Sequence, residues 1–178
     1  RSSFLTSSQA RKSRKLLASL KHLRSLVLKD TGMFEEMSFL SSLGQLTCLH
    51  ITNASWLKNH NFLRDLVDLE ELEIFHDKHL VHLDAFRSLG SLRRLRLQGC
   101  RALEDIEGLQ ELSQLEVLFL RSCYRLGDVD PIASLHRLRM LDLYDCSSLH
   151  DVSGVMALPQ LSYLHLGRCD ALQAFHGR

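Results

Sequence analysis

Residues 112–134 read LSQLEVLFLRSCYRLGDVDPIAS. Leucine stands at Leu112, Leu115, Leu118 and Leu120; Cys123 and Leu126 follow, and Asp128-Val129 lies on the way out. The same frame recurs at a step of 23 residues, starting at Leu20, Leu43, Leu66, Leu89, Leu112, Leu135 and Leu158. No step needs an insertion. Counting offsets from each start, leucine also fills offset three (Leu23 to Leu161) and offset six (Leu26 to Leu164) in every unit. Offset eight holds Leu28, Ile51, Ile74, Leu97, Leu120, Leu143 and Leu166, and offset fourteen holds Phe34 and then leucine from Leu57 to Leu172. Self-similarity at a fixed period of this length signals a stacked repeat.

The apolar pair at offsets six and eight alternates with its neighbours, as a strand buried on one face requires. A single unit cannot bury its apolar side alone; it needs the next unit against it. The spacing therefore predicts seven parallel strands, one per unit, about 4.8 Å apart and roughly 30 Å across in all. With 23 residues per unit, the return path has room for turns or short 3-10 segments. The repeats are assigned to residues 20–178, the last one truncated. Residues 1–19 form a basic flank or the remnant of an earlier unit, since Leu17 is in phase with Leu40 and Leu63. A short helix is expected over Ala10–Ser19. The chain opens on Arg1 and stops at Arg178 within the pattern, which reads as a piece of a longer polypeptide. With no polar cap evident at either end, further sequence or a neighbouring subunit is expected to cover the ends.

These residues resemble the leucine-rich repeat family, whose motif L-x-x-L-x-L-x-x-N/C is matched in full by the last four units and in its apolar positions by every unit. The Cys-x-x-Leu-x-Asp-Val variant at a constant 23 is similar to the leucine-rich repeat proteins of trypanosomatids, including those called adenylate cyclase regulatory proteins. It is also similar to internalin-type repeats. The resemblance implies an α/β fold: a right-handed solenoid with a concave parallel sheet that binds protein.

Composition narrows the classes. Hydrophobic residues are 45% and charged residues 24% of the 178, too apolar for disorder, and no apolar run approaches a membrane span. The net charge is +1, but it is uneven: residues 1–30 carry eight basic groups against Asp30, and the rest of the chain is acidic by six. The basic front end supports an alternative reading as an RNA-binding or acidic-surface-binding segment.

Candidate chemistry is sparse. Cys100, Cys123, Cys146 and Cys169 share offset eleven. A straight ladder cannot converge on a tetrahedral zinc, and its parallel Cα–Cβ vectors do not favour disulfides. Each thiol is expected to fill the turn after its strand and bond backbone groups. A reduced ladder points to an intracellular, cytoplasmic setting. Thr31, Ala54 and Asp77 replace Cys in the first three units, and His60 replaces the apolar residue at offset seventeen. Those units are expected to be less regular, with Phe62 turning inward. Asp105, Asp128 and Asp151 are expected to cap convex turns through backbone N–H groups. His76, His79 and His82 leave a strand and turn, so their spacing carries no metal reading. Cys48, at offset five, reads as a surface thiol. Asn53-Ala54-Ser55 fits a glycosylation sequon by itself. No P-loop, G-x-G-x-x-G, H-E-x-x-H or G-x-S-x-G motif occurs. No catalytic residue, cofactor or metal is assigned.

Function is therefore sought at offsets five, seven and nine, the outward side of the sheet. Phe75, Arg94, Arg96, Val117, Phe119, Arg121, Met140, Asp142, Tyr144, Tyr163 and His165 form the expected partner-binding set, because aromatics and Arg dominate protein interfaces. Arg94 and Arg96 face Glu71 and Glu73 one strand away, either to pair with them or to meet an acidic partner. The leading reading is a non-enzymatic protein-binding scaffold or a subunit of a larger assembly. The other alternative is the substrate-recognition domain of a larger regulatory protein or ligase.

Overall fold

The computed structural model of the chain describes residues 7–29 and 37–172, with side chains from residue 13 onward. Among these residues, seven strands form one parallel sheet in sequence order: β1 Ser25–Lys29, β2 Cys48–Thr52, β3 Glu71–Phe75, β4 Arg94–Gln98, β5 Val117–Arg121, β6 Met140–Asp142 and β7 Tyr163–His165. Register follows the period, with Leu49 beside Leu72, Leu72 beside Leu95, and Leu95 beside Leu118. The strands return through short 3-10 segments such as Asp84–Phe86 and Glu107–Leu109. Thr31, Phe34 and Phe175 lie outside the described residues.

Burial shows why stacking is obligatory. In the inner units the leucines at offsets zero, three and six have no exposed surface, for example Leu89, Leu92 and Leu95. At the ends the equivalent Leu20 and Leu164 remain 43% and 41% exposed, because each has a neighbour on one side only. The helix expected before the first strand is present as α1, Ser7–Ala18. It lies against the first 3-10 segment, where the Ser42 hydroxyl donates to the Ala18 carbonyl at 3.3 Å and Lys21 Nζ donates to the Ser42 carbonyl at 3.2 Å. Leu17 packs partly on the core, in the place that the buried Leu40 and Leu63 occupy one and two units later.

The cysteine ladder follows the expected chemistry. Each thiol points to a carbonyl of the preceding strand's unit: Cys100 to Ile74, Cys123 to Leu97, Cys146 to Leu120 and Cys169 to Leu143, at 2.9–3.8 Å. All five cysteines are free thiols. Burial pushes Cys100 and Cys146 up to about 12 and raises Cys123 and Cys169 as well, so these four stay protonated. The aspartate ladder also behaves as read. Asp105, Asp128 and Asp151 accept the N–H two residues on, from Glu107, Asp130 and Ser153.

Two departures from the repeat turn out to be one. Asp77, in the Cys position, is fully buried, and its Oδ1 accepts the N–H groups of His79 and Leu80 at 2.7 and 3.0 Å. Its Oδ2 lies 2.7 Å from Nε2 of His60, the polar residue at offset seventeen of the unit before. Each residue supplies the partner the other needs. Phe62 is buried as expected. The irregularity of the early units is confined to the return path, where an extra 3-10 turn, Ala54–Trp56, follows β2; β1 to β3 keep their register.

A second regularity carries no residue-type signal. The residue at offset ten is left-handed in six successive units: Asn53, His76, Gly99, Ser122, Asp145 and Arg168, with φ of 53–67°. At His76, Gly99, Ser122 and Asp145 its N–H still bonds a carbonyl of the next unit, as His76 does to Gln98 and Ser122 to Tyr144. The turn is held by the ladder although non-glycine residues resist this conformation by about 1–2 kcal/mol.

Two outcomes follow for stability and thiol chemistry. His60→Leu alone strands the Asp77 carboxylate and costs about 1–3 kcal/mol, whereas His60→Leu with Asp77→Cys recovers most of it; urea unfolding of the four proteins measures the coupling. Under native conditions with a chelator, a thiol reagent modifies Cys48 alone, and all five cysteines react after denaturation, as mass spectrometry will show.

Candidate functional site

The register sorts the outward side chains into three rows across the sheet. Ser25, Cys48, Glu71, Arg94, Val117, Met140 and Tyr163 form the first. Val27, His50, Glu73, Arg96, Phe119, Asp142 and His165 form the second. At offset nine the register pairs Lys29 with Thr52, Phe75 with Gln98 and Gln98 with Arg121, and Tyr144 follows just beyond β6, its ring against His165. All eleven residues of the expected set therefore lie on one face. Chemistry changes along it, from acidic groups on β3, through arginines on β4, to apolar and aromatic side chains on β5 to β7.

Phe119 is the centre. The Arg96 guanidinium, beside it on β4, lies 5.2 Å from its ring centroid, and that of Arg121, two residues on along β5, lies 5.5 Å away. Such cation–π contacts hold the ring with about 0.5–1 kcal/mol each at exposed sites. Between Phe75 and Phe119 the face sinks into an open hollow of about 200 Å³, lined also by Arg96, Leu97, Gln98 and Arg121. Further along, the Tyr144 and His165 rings are 5.0 Å apart, Tyr163 meets His165 edge-on at 6.4 Å, and Arg168 lies over Tyr144 at 5.9 Å. Tyr163 is 40% exposed; Val117, Phe119, Met140 and Tyr144 are half-buried.

The arginines are occupied by the chain itself. Arg96 Nη1 donates to Glu73 Oε1 at 2.6 Å, and Arg94 Nε lies 3.6 Å from Glu71 Oε2. Of the two options the sequence left open, the structure takes internal pairing.

Asp142 differs from the expectation of an exposed partner-binding residue: it is fully buried. Arg121 folds over it, donating from Nε at 2.8 Å and from Nη2, while His165 Nδ1 lies at 3.4 Å. Its Oδ1 accepts the Tyr144 N–H at 3.0 Å, which diverts that group from the ladder and ends β6 at three residues. Asp142 thus holds Arg121 and the Tyr144 backbone in place from beneath the surface. Burial alone would raise its pKa, but the hydrogen bonds from Arg121 and from the Tyr144 N–H, the Arg121 charge and His165 outweigh it and hold the carboxyl below its ordinary range. The same hydrogen bond raises Arg121.

Two neighbours were absent from the sequence reading of the site. Gln98 was legible as an outward position but carries no aromatic or charged signature. Arg168 reaches Tyr144 from a left-handed residue, and nothing in the sequence marks that backbone.

Comparison with known structures fits this geometry. The leucine-rich repeat domain of the type III effector XopL superposes with a TM-score of 0.74 at 22% identity, covering 97% of this chain and 62% of that one. An internalin (inlF) from Listeria monocytogenes superposes with a TM-score of 0.63 at 18% identity, covering 84% and 49%. The fold is a leucine-rich repeat solenoid. A second Listeria internalin, C2, agrees at a TM-score of 0.60 and 20% identity, over 83% of this chain and 73% of that one. The chain spans about half to just under two thirds of the length of the first two leucine-rich repeat structures. No family model and no curated protein matches the sequence.

The Asp142 carboxylate gives a signed pH dependence. Its folded pKa is depressed, so its contribution is full above the unfolded value of about 3.9 and is lost as pH falls through the lower folded value. Asp142→Asn should cost about 1–3 kcal/mol near neutrality. The gap to wild type should narrow in unfolding measurements below about pH 3.9.

Proposed function

We propose that this chain is a non-enzymatic protein-binding scaffold whose partner seats on the concave face of β5 to β7, with Phe119 at the centre. The observation that carries this reading is the apolar surface formed by Val117, Phe119, Met140, Tyr144 and Tyr163 on the side of the sheet away from the core. Folding gives no reason for those residues to stand there, because the buried leucines already complete the core on the other side. The neighbouring strands β2 to β4 show what the same positions hold otherwise: Cys48, His50, Glu71, Glu73, Arg94 and Arg96.

The size of the hollow argues for a macromolecular partner. At about 200 Å³ it falls below the 300–1,000 Å³ of typical small-ligand pockets, and it suits one inserted side chain. The internal pairing of Arg94, Arg96 and Arg121 argues for recognition dominated by the aromatics rather than by charge. The exposed Arg94–Glu71 pair adds little stability itself, and all three pairs fix the long side chains and so lower the ordering cost on binding. The same binding role holds if the repeats serve as the recognition domain of a larger protein.

Phe119→Ala and Tyr144→Ala should each weaken the partner by about 1–3 kcal/mol, close to 10- to 100-fold. Affinity purification of wild type against the double variant, followed by mass spectrometry, identifies the proteins that depend on the patch. Binding through the aromatics should change little with salt. A set of partners unaffected by the double variant, with affinity falling steeply as salt rises, would instead support the basic segment around α1.

A further inference from the structure

We propose that Cys48, His50 and Glu71 form a binding site for a zinc-class divalent ion on the concave face, two strands from the aromatic patch. Among the described residues, these three bring a thiol sulfur, an imidazole nitrogen and a carboxylate oxygen within 4.8 Å of one another. Cys48 Sγ lies 3.3 Å from His50 Nε2, and Nε2 lies 3.6 Å from Glu71 Oε1. A tetrahedral zinc with ordinary bond lengths holds its sulfur and nitrogen ligands about 3.5 Å apart and its nitrogen and oxygen ligands about 3.3 Å apart. These two separations are close to those of a zinc shell, and the third pair lies within 4.8 Å.

The sheet builds the shell. Cys48 and His50 are alternate residues of β2 and so point to one side, and the register puts Glu71 directly beside Cys48 and Glu73 directly beside His50. Backbone ladders on both strands hold these positions, which favours precise ligation over a site built on loops.

The groups around the shell complete it. His50 Nδ1 lies 3.5 Å from Glu73 Oε2, which places a carboxylate on the ring nitrogen that faces away from Cys48 and Glu71, as in carboxylate–histidine–metal sites. Each carboxylate is oriented by an arginine through its other oxygen: Glu73 Oε1 by Arg96 at 2.6 Å, and Glu71 Oε2 by Arg94 at 3.6 Å. The site is half-buried, with His50 and Glu71 side chains 26% and 27% exposed, so an ion can enter.

The donor set selects the ion class. A thiolate and an imidazole disfavour Mg²⁺ and Ca²⁺, which take oxygen ligands, and suit zinc and its neighbours. Three protein ligands leave a fourth position, open to the concave side, for water or a partner's side chain. Binding converts the Cys48 thiol to thiolate and releases its proton to solvent.

The test uses Co²⁺ and Zn²⁺ alone on the chain after chelator treatment. One equivalent of Co²⁺ should give a sulfur-to-cobalt charge-transfer band with intense tetrahedral d–d absorption, and Zn²⁺ should displace it. One equivalent of Zn²⁺ should slow alkylation of Cys48. Cys48→Ser should abolish the charge-transfer band. His50→Ala should weaken Zn²⁺ binding by at least 100-fold, and Glu73→Gln by about 10- to 100-fold. Circular dichroism establishes that each variant is folded. Absence of the thiolate band, alkylation unchanged by Zn²⁺, or wild-type affinity in folded His50→Ala or Glu71→Gln would overturn the proposal.

Discussion

Every feature of this molecule depends on one constraint: a 23-residue unit has an apolar side that it cannot bury by itself. Isoleucine or leucine at offsets six and eight reaches zero exposure only when strands flank it on both sides, as Leu95, Leu97, Leu118 and Leu120 do. Where a flank is missing, as at Leu20 and Leu164, the same residue type stays part-exposed. Stacking therefore fixes the strand order, the register and the period together. It also leaves the outward side of the sheet without a structural task, so residue choice there is free to follow binding.

The polar departures obey the same logic, since stacking buries whatever stands in a core position. Asp77 survives in a Cys position because His60 from the preceding unit and two N–H groups satisfy its oxygens. The thiols that replace it in later units find a carbonyl of the previous strand instead. Asp142 is buried on the face that should be open because Arg121 and His165 close over it. A solenoid passes each substitution to its neighbours one layer away, and compensation appears at that distance.

The strands, their order and the roles of the Cys and Asp ladders were legible because they are periodic; each offset repeats the same physics. What was not legible is the coupling between different offsets in adjacent units. His60 and Asp77 each stood out as an exception, but only the return path shows that offsets seventeen and eleven meet. The left-handed backbone at offset ten has no signature in the sequence, since Asn53, His76, Gly99, Ser122, Asp145 and Arg168 share no side-chain property. Asp142 was placed on the correct face, yet its burial depends on the path of a long arginine side chain. Cys48 read as an ordinary surface thiol; the one available signal was cross-strand register, which sets Glu71 beside it and Glu73 beside His50.

The concave face thus divides into two chemistries: a compact Cys–His–Glu group on β2 and β3, and an aromatic surface from β5 to β7, separated by the self-paired arginines of β4. The claim that the aromatic surface receives the partner is tested most directly by hydroxyl-radical footprinting of the chain with and without its purified partner. Phe119, Met140, Tyr144 and Tyr163 should be protected, while Met156, 79% exposed on the return path, should be oxidised equally in both states. Unchanged oxidation of the four concave residues, with protection at Met156 or along α1, would contradict the account.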